Sequence, residues 1–268
     1  MLGDEVTQAI LNDWRSAPIG GKLRATLGFL EKLTLSPKEA RPEDVAVLRV
    51  EGLTDPAIRD AIYVCVGFNI ITRIADALDF KVPPYKVFSS SAKFLLVFGY
   101  RMLSGAQLGR IGSRDAVRTR ADQIKNDNAS VANNGIADPY AGELKRLEEA
   151  VIFGPGTLDP AVRKGASVAG EIPGVPGSYV KKVWQRAHEI ASEDIAALKQ
   201  IGYSEDQIFE LTVSAALGAG LLRLKSALSA LGYEHPLSTT MQPLVGPAIT
   251  FPLTTPDAKH SERNLSGF

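Results

Sequence analysis

Thiol and imidazole chemistry have little to work with in this chain. Its 268 residues include one cysteine, Cys65, and three histidines, His188, His235 and His260. A single cysteine excludes an intrachain disulfide, a Cys-x-x-Cys redox pair and a cysteine-rich zinc site. The histidines are scattered, with no HExxH or paired spacing. Surface or structural roles are expected for them, and no metal or other cofactor is expected. Charge of one sign is also missing. Thirty Lys and Arg balance thirty Asp and Glu, so neither nucleic acid nor a membrane is an expected partner.

The first residues, MLGDEVTQAILNDW, lack the basic start and apolar run of a signal peptide. The longest apolar stretches, Ala61–Ile71 and Leu211–Leu222, fall short of the roughly 20 residues a spanning helix needs. The cytoplasm is therefore the expected compartment. Strict alternation of apolar and polar residues does not persist anywhere, so no strand is expected.

Helix signals fill the space those absences leave. Asp55-Pro56, Asp138-Pro139 and Asp159-Pro160 each place a capping carboxylate before a proline, and Ser204 to Gln207 fits a capping box. Gly52, Gly154 and Gly202 sit where helices should stop. The spacing predicts helices near 4–15, 21–35, 42–50, 56–79, 87–103, 139–153, 160–168, 178–190, 193–200 and 205–231.

The main organisational feature is a repeat. Residues 43–78 align with 193–228 at a constant offset of 150 without a gap. Nine of the 36 positions are identical: Glu43, Asp44, Ala46, Leu48, Gly52, Ile58, Arg73, Ala77 and Leu78 match Glu193, Asp194, Ala196, Leu198, Gly202, Ile208, Arg223, Ala227 and Leu228. Each copy reads as a short helix, a glycine stop, a capped start and a long helix. The expected organisation is all-α: a first helical unit over 1–103, a polar linker over 104–137, a second unit over 138–232 and a Pro-rich tail over 233–268. The linker is locally basic, with Arg110, Arg114, Arg118, Arg120 and Lys125 against Asp115 and Asp122. No aromatic residue interleaves these charges, so a solvated linker or subunit-contact arm is expected ahead of an anion or nucleic-acid patch.

Both long helices are apolar on nearly every face, which predicts buried central helices. Gly218 and Gly220 interrupt the second at a cost of about 1 kcal/mol each in helix propensity, so close helix packing or a ligand against the backbone is expected there. Cys65, Asn69, Thr72 and Arg73 share one helical stripe. Such a stripe is either a polar site with a reactive thiol or a core cysteine beside a structural arginine. Ala215 occupies the matching place in the second copy, so the slot accepts a plain methyl. Arg73 and Arg223, at the same repeat position, need partners. Asp44 and Asp60, and Asp194 and Glu210, are the expected acids; helix-end carbonyls are a second source. An anion-binding role at the cleft between units is the functional counterpart of that reading.

The order and spacing of several motifs resemble the peroxidase-related branch of the alkyl hydroperoxidase D/carboxymuconolactone decarboxylase superfamily. In the first unit these are Asp13 to Pro18, Lys32-Leu-Thr34, Pro37, Asp44, Leu48, Gly52, Asp55, Ile58, Phe68-Asn69 and Arg73. In the second they are Tyr203 to Leu211 and Gly218-Ala-Gly220. The resemblance covers Asn12–Val82 and Gly156–Leu231 and implies an all-helical fold of paired repeats assembled as oligomers. It also implies a Cys-x-x-Cys pair with a nearby His and Glu. The segment where that motif is expected reads ASVAGEIPGVPGSYVKKV, without cysteine or histidine. Counted from Cys65, the second cysteine becomes Phe68 and the histidine Thr72. The family's dithiol mechanism is thus unavailable to one chain. The resulting expectation is a protein that binds or transforms a small organic molecule, with a homo-oligomer as its partner state. The alternatives are a one-cysteine peroxide reductase through Cys65, a lactone decarboxylase-like lyase through His188 and an acid, and a non-catalytic structural oligomer. The candidate site residues are Cys65, Asn69, Arg73, Arg223 and His188.

Overall fold

The computed structural model describes residues 4–81, 138–168 and 172–233, and every described element is helical. The elements are α1 (Asp4–Asp13), α2 (Gly21–Leu35), a 3₁₀ turn (Pro37–Glu39), α3 (Pro42–Val50), α4 (Asp55–Ala77), α5 (Ala141–Glu148), a π turn (Glu149–Phe153), α6 (Pro160–Ala166), α7 (Gly174–Arg186), a 3₁₀ turn (Ala187–Glu189), α8 (Ser192–Gln200) and α9 (Glu205–Leu231). The expected helix at 87–103, the basic linker charges, the Pro-rich tail, His235 and His260 lie outside the described residues.

Local chemistry sets the same boundaries twice. The Asp44 carboxylate accepts from the Arg41 amide and from Lys32 Nζ, at 2.8 Å each. In the same geometry, Asp194 accepts from the Ala191 amide at 3.0 Å and from Lys182 Nζ at 2.7 and 2.8 Å. Each acid thus caps its short helix and ties it to the helix before. Gly52 and Gly202 then adopt left-handed φ values of 84° and 95°, which a side chain would resist. Thr54 and Ser204 cap the long helices by accepting from Ala57 and Gln207. Asp55 is not the cap that its proline neighbour suggests: it pairs with Arg49, as Glu205 pairs with Lys199. The hydroxyl one residue earlier already meets the free amides.

α4 and α9 pack along each other, and the C-terminal half of each enters a cluster built largely by the other half of the sequence. One cluster joins Phe29, Leu33, Leu48 and Ile62 to Leu224 and Leu228. The second joins Tyr179, Val183, Leu198 and Leu211 to Ala77, with Ile70 and Ile74 at its edge. Residues 4–81 and 138–233 therefore do not form separate cores. Burying one fully apolar side chain contributes about 1.5–3 kcal/mol, so each unit depends heavily on the other's long helix.

The outer faces of the long helices differ. α9 is long and apolar enough, by length and composition, to cross a membrane, yet 78% of that apolar window is buried by protein. That burial is what a core helix shows. Ser214, Gly218 and Leu221 are covered, with α6 packed on α9. At the matching places on α4, Val64, Phe68 and Ile71 are about 60% exposed (59%, 64% and 62%). The expectation of two wholly buried long helices is thus corrected for α4. Its outer stripe has no counterpart of α6 over it among the described residues.

Candidate functional site

The site grows from the ends of α2 and α7. The last carbonyls of a helix have no intrahelical partner and carry roughly half a negative charge. Arg223, on α9, sends Nε and Nη2 to the Thr34 carbonyl in the last turn of α2, at 3.2 and 2.8 Å. Its Nη1 reaches the Ala219 carbonyl at 2.8 Å. Arg73, on α4, sends Nε to the Trp184 carbonyl in the last turn of α7, at 3.4 Å. Thr34 and Trp184 are themselves 150 residues apart. Each arginine thus caps a helix from the other half of the sequence.

The acids expected to hold these arginines do other work. Asp44 and Asp194 serve the lysines and caps described above. Asp60 lies 3.6 Å from Arg59, and Glu210 accepts from the amides of Thr157 and Leu158. Main-chain carbonyls at helix ends take the arginines instead, because those acceptors are otherwise unpaired. Of the sources expected from sequence, the second is the one present.

A chain of hydrogen bonds links three of the candidate residues. Asn69 Oδ1 accepts from Arg73 Nη1 at 2.8 Å, and Asn69 Nδ2 approaches Cys65 Sγ at 3.4 Å and Thr34 Oγ1 at 3.2 Å. Cys65 also lies 3.7 Å from Thr34 Oγ1 and is buried. Thr72, fourth on the stripe, bonds back to the Phe68 carbonyl and stands apart from this network. His188 is exposed, with Nε2 4.0 Å from Glu189 Oε1.

Burial depresses the Arg223 pKa to about 10, and the nearby positive charge of Arg73 adds to the effect. Arg73 is lowered too, chiefly by burial, with Asp76 opposing. Both remain cations at neutral pH. They line one cavity of about 560 Å³ together with Thr34, Trp184, Thr72 and His188. Most of this wall comes in pairs 150 residues apart, including Thr34 with Trp184, Lys38 with His188 and Arg73 with Arg223. Cys65 is not part of the wall. A larger cleft of about 1050 Å³ shares Asp76 and His188 with this cavity, and two of its charged residues, Lys199 and Glu205, pair with each other. That cleft also opens at Phe80, beside the end of the described first segment. The smaller cavity carries the concentration of polar groups and is the candidate site. Among the described residues no group of three His, Cys, Asp or Glu could hold a metal.

Sequence reasoning missed Thr34 and Trp184. Their contribution is a main-chain oxygen, which no residue type announces. A signal did exist upstream: Lys32 and Lys182 extend the offset of 150 into α2 and α7. Following it would have matched Thr34 with Trp184. Comparison of the chain with protein-family models, with curated proteins and with solved structures gives no match.

Proposed function

We propose that this chain is a tandem alkyl hydroperoxidase D/carboxymuconolactone decarboxylase-type helical protein that has no dithiol peroxidase site and binds or transforms a small organic molecule in the cleft between its two units. The observation that carries this reading is the 560 Å³ cavity whose wall pairs residues 150 apart. Ligand sites commonly occupy about 300–1,000 Å³ and combine apolar walls with a few fixed polar groups. Leu35, Pro37 and Leu222 supply the apolar part here, and the two arginines the fixed polar part. The matched caps, glycine stops and lysine–aspartate ties support the duplication. A cytoplasmic homo-oligomer is part of the same proposal; the oligomer rests on the resemblance and the compartment on the single cysteine.

A fragment screen by amide NMR on the full chain tests the cleft. Hits should perturb Thr72, Trp184 and His188, and Thr72→Trp should abolish them by filling the exposed edge of the cavity. Hits confined to other surfaces, or none at all, would sink the reading.

The chemistry is tested separately. Hydrogen peroxide turnover with dithiol reductants should be at background, because Cys65 is buried and off the cavity wall, away from both peroxide and the reductant's thiol. Robust turnover lost in Cys65→Ala would replace this reading with the one-cysteine peroxide reductase.

A further inference from the structure

Helix capping accounts for part of what the two arginines do, but not for their charge. A guanidinium offers five N–H donors. Arg223 spends three contacts on the carbonyls of Thr34 and Ala219. Arg73 uses Nε and Nη1, while its Nη2 donates to no described residue. Two carboxylates stand on the cavity wall, Glu39 and Asp76, and neither hydrogen-bonds to either guanidinium. Arg223 is only 6% exposed, and among the described residues its donors meet main-chain oxygens and a helix end. Placing a second guanidinium close enough to depress the first is unfavourable when both serve only as caps. A neutral donor or one cation per helix end, kept apart, would cap as well.

An anion between the two would remove that conflict. The planar fork of arginine matches the two oxygens of a carboxylate, and two forks can share one group. Lys38, Arg73 and Arg223 share the wall with Glu39 and Asp76, a formal side-chain charge of +1 that a guest anion would neutralise. Leu35, Pro37 and Leu222 offer apolar surface beside the arginines for a hydrocarbon body. We propose that Arg73 and Arg223 form a clamp for the carboxylate of a small organic monoanion held in the cleft between the units. The clamp rests on the reading of that cleft as a ligand site and names the class of ligand it takes.

Hexanoate, its uncharged analogue hexanamide and inorganic phosphate are the probes, titrated into the full chain by calorimetry and followed at the arginine Nε–H signals. Hexanoate should bind and shift the Arg73 and Arg223 signals, with hexanamide and phosphate at least tenfold weaker. Arg73→Gln should weaken hexanoate at least tenfold while leaving a cooperative thermal melt, since Arg73 is only half-buried. Arg223→Gln risks the fold by uncapping α2, so Arg223→Lys, which keeps the charge and loses the fork, is the second variant and should weaken hexanoate severalfold. Equal binding of hexanoate and hexanamide would overturn the clamp and leave the cleft a ligand site. Phosphate binding as tightly as hexanoate would overturn the organic monoanion. If none of the probes binds, the clamp fails. A positive fragment screen beside that result would still uphold the cleft, whereas a blank screen would remove both.

Discussion

Gly218→Ala should lower the unfolding free energy by about 3 kcal/mol, the upper end of overpacking costs. A Cβ at this position would lie 2.1 Å from the carbonyl oxygen of Ser167 and 2.6 Å from its carbon. Both are backbone atoms at the end of α6, so no rotamer change can clear them. The added methyl must push α6 off α9, and α6 carries Arg163, whose donors hold the carbonyls of Val151 and Gly154. Alanine gains about 1 kcal/mol of helix propensity over glycine, which offsets a part of the loss. Gly220→Ala is the control. There the new Cβ would meet Ile70 side-chain atoms at 2.5 and 2.7 Å, and a side chain can shift where a backbone cannot. Its net cost should be about 1 kcal/mol or less. Urea melts of both variants decide the matter. A Gly218→Ala protein as stable as the parent would mean that α6 does not sit on α9 in this way.

The same comparison explains which parts of the fold were legible. Gly218 matches Phe68 at the offset of 150, and Ser214 matches Val64. Small residues on α9 and large apolar ones on α4 already encode a covered face and a bare one. Composition alone, apolar in both cases, hides that difference. Caps and stops were legible because they act within one turn: Gly52, Gly202, Ser204 and Asp159 each satisfy amides or conformations a few residues away. Asp55 misleads because Thr54, one position earlier, competes for the same amides and wins.

The site was legible only where it follows helical spacing. Cys65, Asn69 and Arg73 are four apart and touch in sequence order, as residues on one helical face do. Arg223 was found through the repeat. Their partners were not, since the exchange of caps between units depends on how α4 and α9 pack. Local acids suggest an ion pair inside each copy of the repeat, and four acids at matching places, Asp44 with Asp194 and Asp60 with Glu210, invite that pairing. Packing instead carries each arginine past its own acids to the end of the other unit's helix. The consequence is physical as well as topological. A pair of arginine–carboxylate bridges would have been self-contained; a pair of arginines on carbonyls puts two guanidinium cations on the wall of a cavity.

Glu210→Ala should cost about 3 kcal/mol, comparable to the loss of two charge-assisted hydrogen bonds with their donors left unmet. The Glu210 carboxylate accepts from the amides of Thr157 and Leu158 at 2.7 and 2.9 Å and from the Thr157 hydroxyl at 3.0 Å. It also forms an ion pair at 3.9 Å with Arg163 Nε, a buried nitrogen with no hydrogen-bond partner among the described residues. Asp60, its counterpart at the offset of 150, is exposed and among the described residues pairs with Arg59 alone, so Asp60→Ala should stay within about 1 kcal/mol of the parent. Acidity offers an independent check. Burial disfavours the Glu210 anion, but the two amides, the hydroxyl and Arg163 outweigh it and hold its pKa below the ordinary value of 4.5. A carboxyl depressed in the folded state contributes stability that is fully present above its unfolded pKa and is lost as pH falls through its folded one. The stability gap between parent and Glu210→Gln should therefore stay constant at neutral pH and close as pH drops below 4.5. Chemical melts of both proteins between neutral and acid pH measure it. A gap that stays open at low pH would mean that the side chain's shape, not its charge, holds the 157–158 turn to α9.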